Sequence, residues 1–346
     1  MLDERKIRVL CAVIDSYLRE AEPVGSRTIS KEYDLGVSSA TIRNEMSDLE
    51  DLGYLNKTHS SSGRIPSDKA YRFYVNNILK AEKMRIDIEK KEEIKRILTK
   101  ESREIDELIQ NSAKILSAIT SYTALALSPQ IREMKLKHIQ LVPIDEREIL
   151  VVLVGDSGIV KNTIFRLDQN ISSEQLERIS NLFNYKLKGL TITGIREAMS
   201  GEIFKEFYDY KSTLDRIIPV IMNSLDDNSN VEVYLDGVTR IFDFPEYRDT
   251  EKVKSFISFI EDKEQLLNVL LNNTLNEDIE FSIGDENKYD TIKDCSLITA
   301  TYKLGNMIIG KIGVIGPTRM DYLTVIRSLK LFSANLSEII EMLLKK

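Results

Sequence analysis

A polar helix face between residues 39 and 47 carries the side chains best suited to read another molecule. Ile42, Met46 and Leu49 recur at helical spacing, which leaves Arg43 and Asn44 on the opposite, outward face. An arginine on such a face can bond two acceptors of a guanine, and an asparagine can bond an adenine in the same way. The face therefore favours reading of a DNA groove, with Arg43 as the first candidate for base contact. Hydroxyls that could bind phosphate oxygens stand beside them, on Ser38, Ser39, Thr41 and Ser47.

The competing interpretation of Arg43 is structural. Its guanidinium could pair with Asp48 or Glu50 along the helix surface, as oppositely charged side chains often do on exposed helices. The sequence leaves both interpretations open. Other basic or polar side chains of the region are expected to contact the DNA backbone, and they are Arg27, Lys57, His59 and Arg64.

Two helices should precede this face. An apolar stripe at i, i+3, i+4, i+7 and i+11, starting at Ile7, predicts a first helix that ends at Pro23. A second, short helix is predicted from Arg27 to about residue 33, with Ser26 as its N-cap. This order is that of a helix-turn-helix, although small helical bundles share it.

The turn and the third helix follow directly. Gly36 is free to adopt the positive φ that a tight turn needs. The third helix should begin at a serine cap, Ser38 or Ser39, and run to Leu52, which continues its buried face. Such a helix has the length required to enter a major groove.

A hairpin after the third helix predicts a wing. Residues 54–55 and 64–65 have the pattern of two short strands, joined by the polar loop 56–63 and closed by Pro66. Small hydroxyl side chains with Lys57 and Arg64 at the shoulders suit close approach to phosphates; a mobile serine loop is the alternative. Ser67 can cap the next helix, whose residues Tyr71, Phe73, Tyr74 and Val75 are expected to pack rather than to stack on bases.

The charge is unevenly distributed. The whole chain of 346 residues carries a net charge of −7, whereas residues 1–80 contain 12 basic and 12 acidic side chains. Between residues 57 and 72, four cations stand against one acid, Asp68. This balance predicts a local basic surface on an acidic protein, which limits non-specific binding of DNA elsewhere.

Several classes of protein are disfavoured. No stretch approaches the ~20 apolar residues of a membrane span, and residues 1–6 lack a signal-peptide pattern, so a cytoplasmic protein is expected. Cys11 and Cys295 are predicted to be buried thiols, and two histidines, His59 and His138, cannot form a histidine-rich metal centre. Glycines at 310, 313 and 316 fall in a strand pattern, no P-loop occurs, and the stretch 155–158 lacks the spacing of a nucleophile elbow. Neither an enzyme nor a cofactor is expected.

The remaining chain predicts a sheet domain with an insertion. Apolar residues recur every eleven positions between residues 82 and 120, which favours one nearly straight helix. Strands are predicted at 122–127, 136–142, 149–154, 159–167, 231–235, 278–283, 296–304 and 307–314, and a turn at 156–158. Helices are predicted within 169–228, near 252–271 and at 322–344. Strands with flanking helices, interrupted by a helical block, suggest a mixed α+β protein of several domains.

Five consecutive sequence blocks resemble the HrcA family of heat-inducible transcription repressors. They lie, in order, at 24–30, 35–50, 52–55, 63–75 and 315–322, where the last reads Ile-Gly-Pro-Thr-Arg-Met-Asp-Tyr. The resemblance implies a winged helix-turn-helix at 1–80, a long helix and GAF-like domain at 81–168 and 229–346, and an inserted dimerisation domain at 169–228. It also implies a homodimer that binds double-stranded DNA at the inverted-repeat operators of heat-shock chaperone operons, and the chaperonin GroEL as the partner that modulates it.

Two other functions remain possible from the residues alone. A ligand-responsive winged-helix regulator would hold a small molecule in its GAF-like domain. An enzyme with a DNA-targeting domain is disfavoured, because no nucleophile–base or metal constellation is assembled in the sequence.

Overall fold

The computed structural model describes residues 2–57, 63–82, 87–102, 104–129, 135–145, 147–155, 160–167, 171–200, 214–219, 221, 231–272 and 278–344. Two compact units are formed, one from 1–127 with 233–339 and the other from 128–232 with 340–346. The helices are α1 (Glu4–Glu20), α2 (Ser26–Glu32), α3 (Ser39–Asp51), α4 (Asp68–Glu82), α5 (Ile88–Glu101), α6 (Ile105–Thr120), α7 (Ser173–Leu187), α8 (Ile192–Ser200), α9 (Thr250–Glu261), α10 (Lys263–Asn272) and α11 (Tyr322–Leu344). The strands are β1 (Leu55–Lys57), β2 (Arg64–Pro66), β3 (Thr123–Leu127), β4 (Leu136–Pro143), β5 (Glu148–Gly155), β6 (Val160–Arg166), β7 (Val233–Asp236), β8 (Ile279–Ile283), β9 (Cys295–Leu304) and β10 (Met307–Pro317).

We call the part of the first unit that contains the first four helices and the β1–β2 hairpin, within residues 2–82, the N-terminal domain. Their order is the one that the helix-turn-helix and wing prediction requires. The cap of α3 is confirmed, because Ser38 has extended backbone angles and its side chain accepts the Thr41 N–H. Gly36 has the predicted positive φ, 70°. Ser67 accepts the Ala70 N–H at the start of α4, as predicted.

Three local predictions in this domain are wrong. Helix α1 ends at Glu20, ahead of Pro23, because Ala21 adopts a left-handed conformation that closes the helix. Ser26 is the first helical residue of α2 and its cap is Gly25, which offers no side-chain bond. Leu52 is 47% exposed, since α3 ends one residue earlier and Leu52 no longer follows the buried stripe.

The predicted straight helix between residues 82 and 120 is two helices. Ser102 has extended angles (φ −134°, ψ 122°) after α5, and Glu104 is extended before α6. Asp87 caps α5 by accepting the Lys90 N–H. An eleven-residue recurrence is therefore compatible with two helices that each bury part of the stripe, Leu98 in α5 and Leu108 in α6.

The first unit also contains a five-stranded antiparallel sheet with the order β7-β3-β10-β9-β8. Its strands lie where alternation predicted them, and the glycines at 310, 313 and 316 lie within β10. The helix predicted near 252–271 is interrupted at Asp262, whose carboxylate accepts the Gln265 N–H and so starts α10. The final helix spans Tyr322–Leu344, as predicted.

We call the part of the first unit outside residues 2–82 the sheet domain, and the second unit interrupts its chain between β3 and β7. A three-stranded antiparallel sheet, β4-β5-β6, packs its inner face on α7, α8 and a helical segment at 214–219. This unit is wider than the predicted insertion of 169–228, because β4–β6 pair with one another and do not join the five-stranded sheet. The predicted turn at 156–158 lies outside the described residues.

No helix in the described part of the chain is long and apolar enough to cross a membrane. Neither cysteine is in a disulfide; Cys295 is buried as predicted, but Cys11 is only half-buried, which corrects the prediction for that thiol.

Candidate nucleic-acid interface

The outward face of α3 is built as the periodicity predicted. Ile42, Met46 and Leu49 are buried, and Arg43 and Asn44 are exposed. Ser47 is exposed one turn after Arg43, and Ser39 and Thr41 are half-buried at the start of the helix. The polar side chains are therefore gathered on one side of a short helix that begins at the molecular surface.

The carboxylates that could have neutralised Arg43 are bound elsewhere. Asp48 lies 3.0 Å from the Lys6 ammonium, and Glu50 accepts from Arg64 Nε at 2.6 Å. Across the described ranges, the Arg43 side chain has no hydrogen bond or ion pair. The structural interpretation of Arg43 is therefore wrong, and its guanidinium is available to another molecule.

Lys6 holds the back of α3 against α1. Its ammonium lies 2.9 Å from a Glu45 carboxylate oxygen, and Glu45 is only 8% exposed. Glu45 and then Asp48 raise the pKa of the Lys6 ammonium well above its usual range. These ion pairs compensate the negative charges of Glu45 and Asp48, and across the described ranges neither carboxylate forms an ion pair with Arg43.

The start of α3 is ordered by Ser38. Its Oγ accepts the Thr41 N–H at 3.2 Å and lies 3.0 Å from the Thr41 hydroxyl. Ser38 is thus occupied as an N-cap, which is a positioning role. Beside it is an open depression of about 510 Å³ whose lining includes Lys31, Tyr33 and Ser38.

Lys31 was missed by the sequence reasoning. It lies one helical turn after Arg27 on α2, and both side chains are exposed. The i, i+4 spacing of two cations on the helix that precedes the predicted reading helix was a usable signal.

The hairpin predicted as a wing is a small three-stranded arrangement. β1 pairs with β2 through Leu55↔Pro66, Asn56↔Ile65 and Lys57↔Arg64, so the first strand runs two residues further than predicted. Val24 adds a bridge, because the Val24 N–H donates to the Arg64 carbonyl at 2.8 Å and the Arg64 N–H donates back at 2.9 Å. Gly63 fits against this bridge for a steric reason: a Cβ there would lie 2.7–2.8 Å from atoms of Pro23.

The basic surface predicted between residues 57 and 72 is smaller than expected. Arg64 is 15% exposed and paired with Glu50, Lys69 donates to the Leu52 carbonyl at the end of α3, and Arg72 binds Glu286. Lys57 is exposed. Three of the four cations stabilise the fold, and Lys57 remains as the candidate for the solvent side of the wing.

From the sequence, Lys57 and Arg64 are expected to flank the loop in equivalent positions. The two residues differ in the structure, because Arg64 binds Glu50 on α3 and so stabilises the hairpin against that helix. His59 lies outside the described residues. The aromatic side chains that follow the wing do pack: Tyr54 meets Phe73 edge to face at 5.8 Å, and the Tyr74 hydroxyl donates to Asp15 at 2.6 Å.

Comparison with known proteins decides the family. Residues 106–326 match the family model of the HrcA protein C-terminal domain. Over 340 residues, 98% of both chains, the sequence is 42% identical to the heat-inducible transcription repressor HrcA of Alkaliphilus metalliredigens. It is also 42% identical to the repressor of the same name from Ruminiclostridium cellulolyticum, across 95% of this chain and 94% of that one. This chain belongs to the HrcA family.

The fold of this HrcA-family member has a counterpart among solved structures. A crystal structure described as a hypothetical protein at 2.2 Å resolution aligns with a TM-score of 0.64 and covers 99% of this chain and 100% of that one. Its sequence is 22% identical, so the likeness concerns the fold. The predicted fold class, a mixed α+β protein of several domains, is therefore confirmed.

Proposed function

We propose that this HrcA-family protein represses transcription by placing the outward face of α3 in the major groove of an inverted-repeat operator. The observation that supports it most is the exposed Arg43 and Asn44 beside carboxylates that are already paired. In this proposal Arg43 bonds a guanine and Asn44 an adenine. Ser39, Thr41 and Ser47 contact phosphates near the helix.

Backbone contacts come from the two flanking elements. Arg27 on α2 and Lys57 on the wing are exposed cations that can neutralise phosphates on either side of the groove. Lys31 extends the contact along α2. We propose His59 as a further contact at the wing loop, on sequence grounds alone. Arg64 and Ser38, which the sequence placed among the DNA contacts, act by holding the wing and α3 in position.

A second copy of the chain is the proposed occupant of the outer face of the β4-β5-β6 sheet. The strand register aligns Val142, Leu150 and Ile164 in one apolar row across this face. Ile164 is 63% exposed and Val160 55%, and the rest of the face is lined by Val152, Val154, Gln140, His138 and Asn162. An apolar face of this kind marks an interaction site.

A two-fold axis explains why that occupant should be another copy. A closed dimer uses one self-complementary patch, and two DNA-reading N-terminal domains ("readers") related by two-fold symmetry match an inverted repeat.

We propose that the operators control heat-shock chaperone genes and that the chaperonin GroEL modulates repression; the family resemblance supports both. Addition of GroEL to a limiting amount of repressor should increase operator occupancy, and unchanged occupancy would count against this partner.

Replacement of Arg43 with alanine tests the reading helix. We expect a loss of about 1–3 kcal/mol in operator binding and a weaker preference at one base position of each half-site, because a bidentate contact is removed. Competition titrations with single-base operator variants measure both. Arg96→Ala, the same change on an exposed face of α5, should leave affinity and preference unchanged. Full selectivity in Arg43→Ala would remove Arg43 from this role.

Replacement of Lys57 with alanine tests the wing. Its ammonium is proposed to bind phosphate, so the variant should lose similar affinity for operator and for unrelated DNA. The slope of log K against log salt should become shallower by about one. Titrations at several salt concentrations measure this, with Lys90→Ala on α5 as the matched control. An unchanged slope would exclude phosphate contact by Lys57.

A further inference from the structure

The sequence block at 315–322 plays no part in DNA reading as proposed above, yet one of its residues ties two domains together. Arg319, just after β10, donates from Nε to a Glu246 carboxylate oxygen at 2.7 Å and from Nη1 to the Leu18 carbonyl at 2.8 Å. Its side chain is only 12% exposed. Leu18 lies in the last turn of α1, where carbonyls lack partners within the helix and attract cations. One guanidinium thus joins the sheet domain to the N-terminal domain.

Helix α4 makes a second connection to the sheet domain. Arg72 donates to both carboxylate oxygens of Glu286, with Nε at 2.7 Å from Oε1, and to the Phe281 carbonyl at 3.0 Å. One turn earlier, Asp68 accepts the Asp285 N–H at 3.0 Å. The Arg72 guanidinium and the Asp68 carboxylate, on the same face of α4, both bind the segment where β8 ends and the following turn begins. A bidentate arginine–carboxylate pair restricts the relative orientation of the two groups as well as their separation.

An aromatic contact lies between these polar groups. The rings of Tyr71 on α4 and Tyr322 on α11 are 5.7 Å apart, and both side chains are buried. We call the contacts that Arg319, Arg72, Asp68 and Tyr71 make between the two domains the docking seam. Paired aromatic rings add an orientation preference to the apolar area that they remove from water.

The docking seam leaves the reading surface uncovered. It uses the end of α1 and one face of α4, whereas Arg43 and Asn44 on α3 and Lys57 on the wing remain exposed. The seam therefore does not hide the proposed DNA-binding residues.

We propose that Arg319 and Arg72 are positioning residues that hold the N-terminal domain in one orientation on the sheet domain, so that both readers of a dimer meet their half-sites together. This inference rests on the proposed function. When two readers are rigidly placed, the second contact forms at a high effective concentration, and a freely turning reader loses part of that gain. A fixed orientation also restricts the spacing between half-sites that the dimer accepts.

The test compares full-length wild type, Arg319→Ala and Arg72→Ala on three duplexes. These are a single half-site, the inverted repeat defined by footprinting of the wild type, and that repeat lengthened by about half a helical turn, ~5 base pairs. We expect half-site affinity within about twofold of wild type, a loss of about tenfold or more on the intact repeat, and a smaller penalty for the lengthened repeat. Arg248→Ala, an exposed arginine near Glu246, is the matched control and should resemble wild type.

The outcomes separate the inference from the proposed function. A wild type that ignores the inverted repeat and the half-site alike contradicts DNA reading itself. Unchanged spacing dependence in both variants overturns the seam inference, and so does an equal loss on half-site and repeat, which would locate the damage in the reader. If Arg319→Ala does not fold, Arg72→Ala decides, because the Arg72 side chain is 30% exposed and its removal leaves no buried charge in the core.

Discussion

In the dimer proposed above, Val160→Asp combined with Ile164→Asp should separate the two copies and weaken binding to the inverted repeat by about 10²–10⁴-fold. Both side chains lie on the exposed apolar face of β6, and burial of a carboxylate between two such faces costs several kcal/mol. Half-site affinity should stay near the wild-type value, since the N-terminal domain is unchanged. Sedimentation equilibrium measures the association, and titration of half-site and full repeat measures the binding.

The control for this experiment is a carboxylate placed on a different exposed apolar residue. Ile88, at the start of α5, is 73% exposed, and Ile88→Asp should remain dimeric with wild-type affinity. A double variant at Val160 and Ile164 that sediments as a dimer at micromolar concentration would show that another surface joins the subunits. Retention of the far-ultraviolet circular dichroism spectrum distinguishes loss of association from loss of fold.

Lys311→Met should destabilise the five-stranded sheet by about 3–5 kcal/mol. The Lys311 ammonium donates to Glu280 Oε2 at 2.6 Å, and the two side chains are 3% and 9% exposed. Glu280 Oε1 is buried and has no hydrogen bond from any described residue. Removal of the lysine therefore leaves a buried carboxylate whose charge has lost its ion-pair partner on β10.

Native-state hydrogen exchange of the β9 amides, between the two charges, measures this loss. The double change Glu280→Leu with Lys311→Met should recover most of it, because it removes both buried charges. Lys303→Met, which breaks an exposed pair with Asp278 on the same sheet, should cost less than about 1 kcal/mol. A loss of under 1 kcal/mol in Lys311→Met would contradict the expected dependence on this pair.

Local structure was largely predictable because its causes are local. The buried stripe of α3, its Ser38 cap and the turn at Gly36 depend on residues within one or two turns of each other. The final helix has a continuous apolar periodicity and no competing strand pattern, and its predicted bounds agree with the structure.

The errors concern choices between distant partners. Lys57 and Arg64 flank the wing loop in equivalent positions in the sequence. Only the strand register and the packing on α3 show that Arg64 pairs with Glu50, fourteen residues away. The second unit is wider than the predicted insertion for a similar reason: alternation predicts a strand but does not say which sheet the strand joins. The sequence does not indicate the end of α5 at Ser102, because apolar residues continue to recur at the same spacing on both sides of it.

The point where the chain leaves and re-enters the sheet domain has a consequence for folding. Leu127 and Val233 are partners in the β3–β7 ladder, and just beyond them the Ser128 N–H donates to the Glu232 carbonyl at 2.8 Å. The long excursion between these residues begins and ends at neighbouring backbone positions, and because the cost of closing a loop grows only with the logarithm of its length, holding these ends together over an unfolded excursion of about 100 residues costs only about 3 kcal/mol more than closing a short hairpin connection. Melting and reassembly within the excursion can therefore proceed while β3 and β7 stay paired, and the sheet can keep its register when the inserted unit opens.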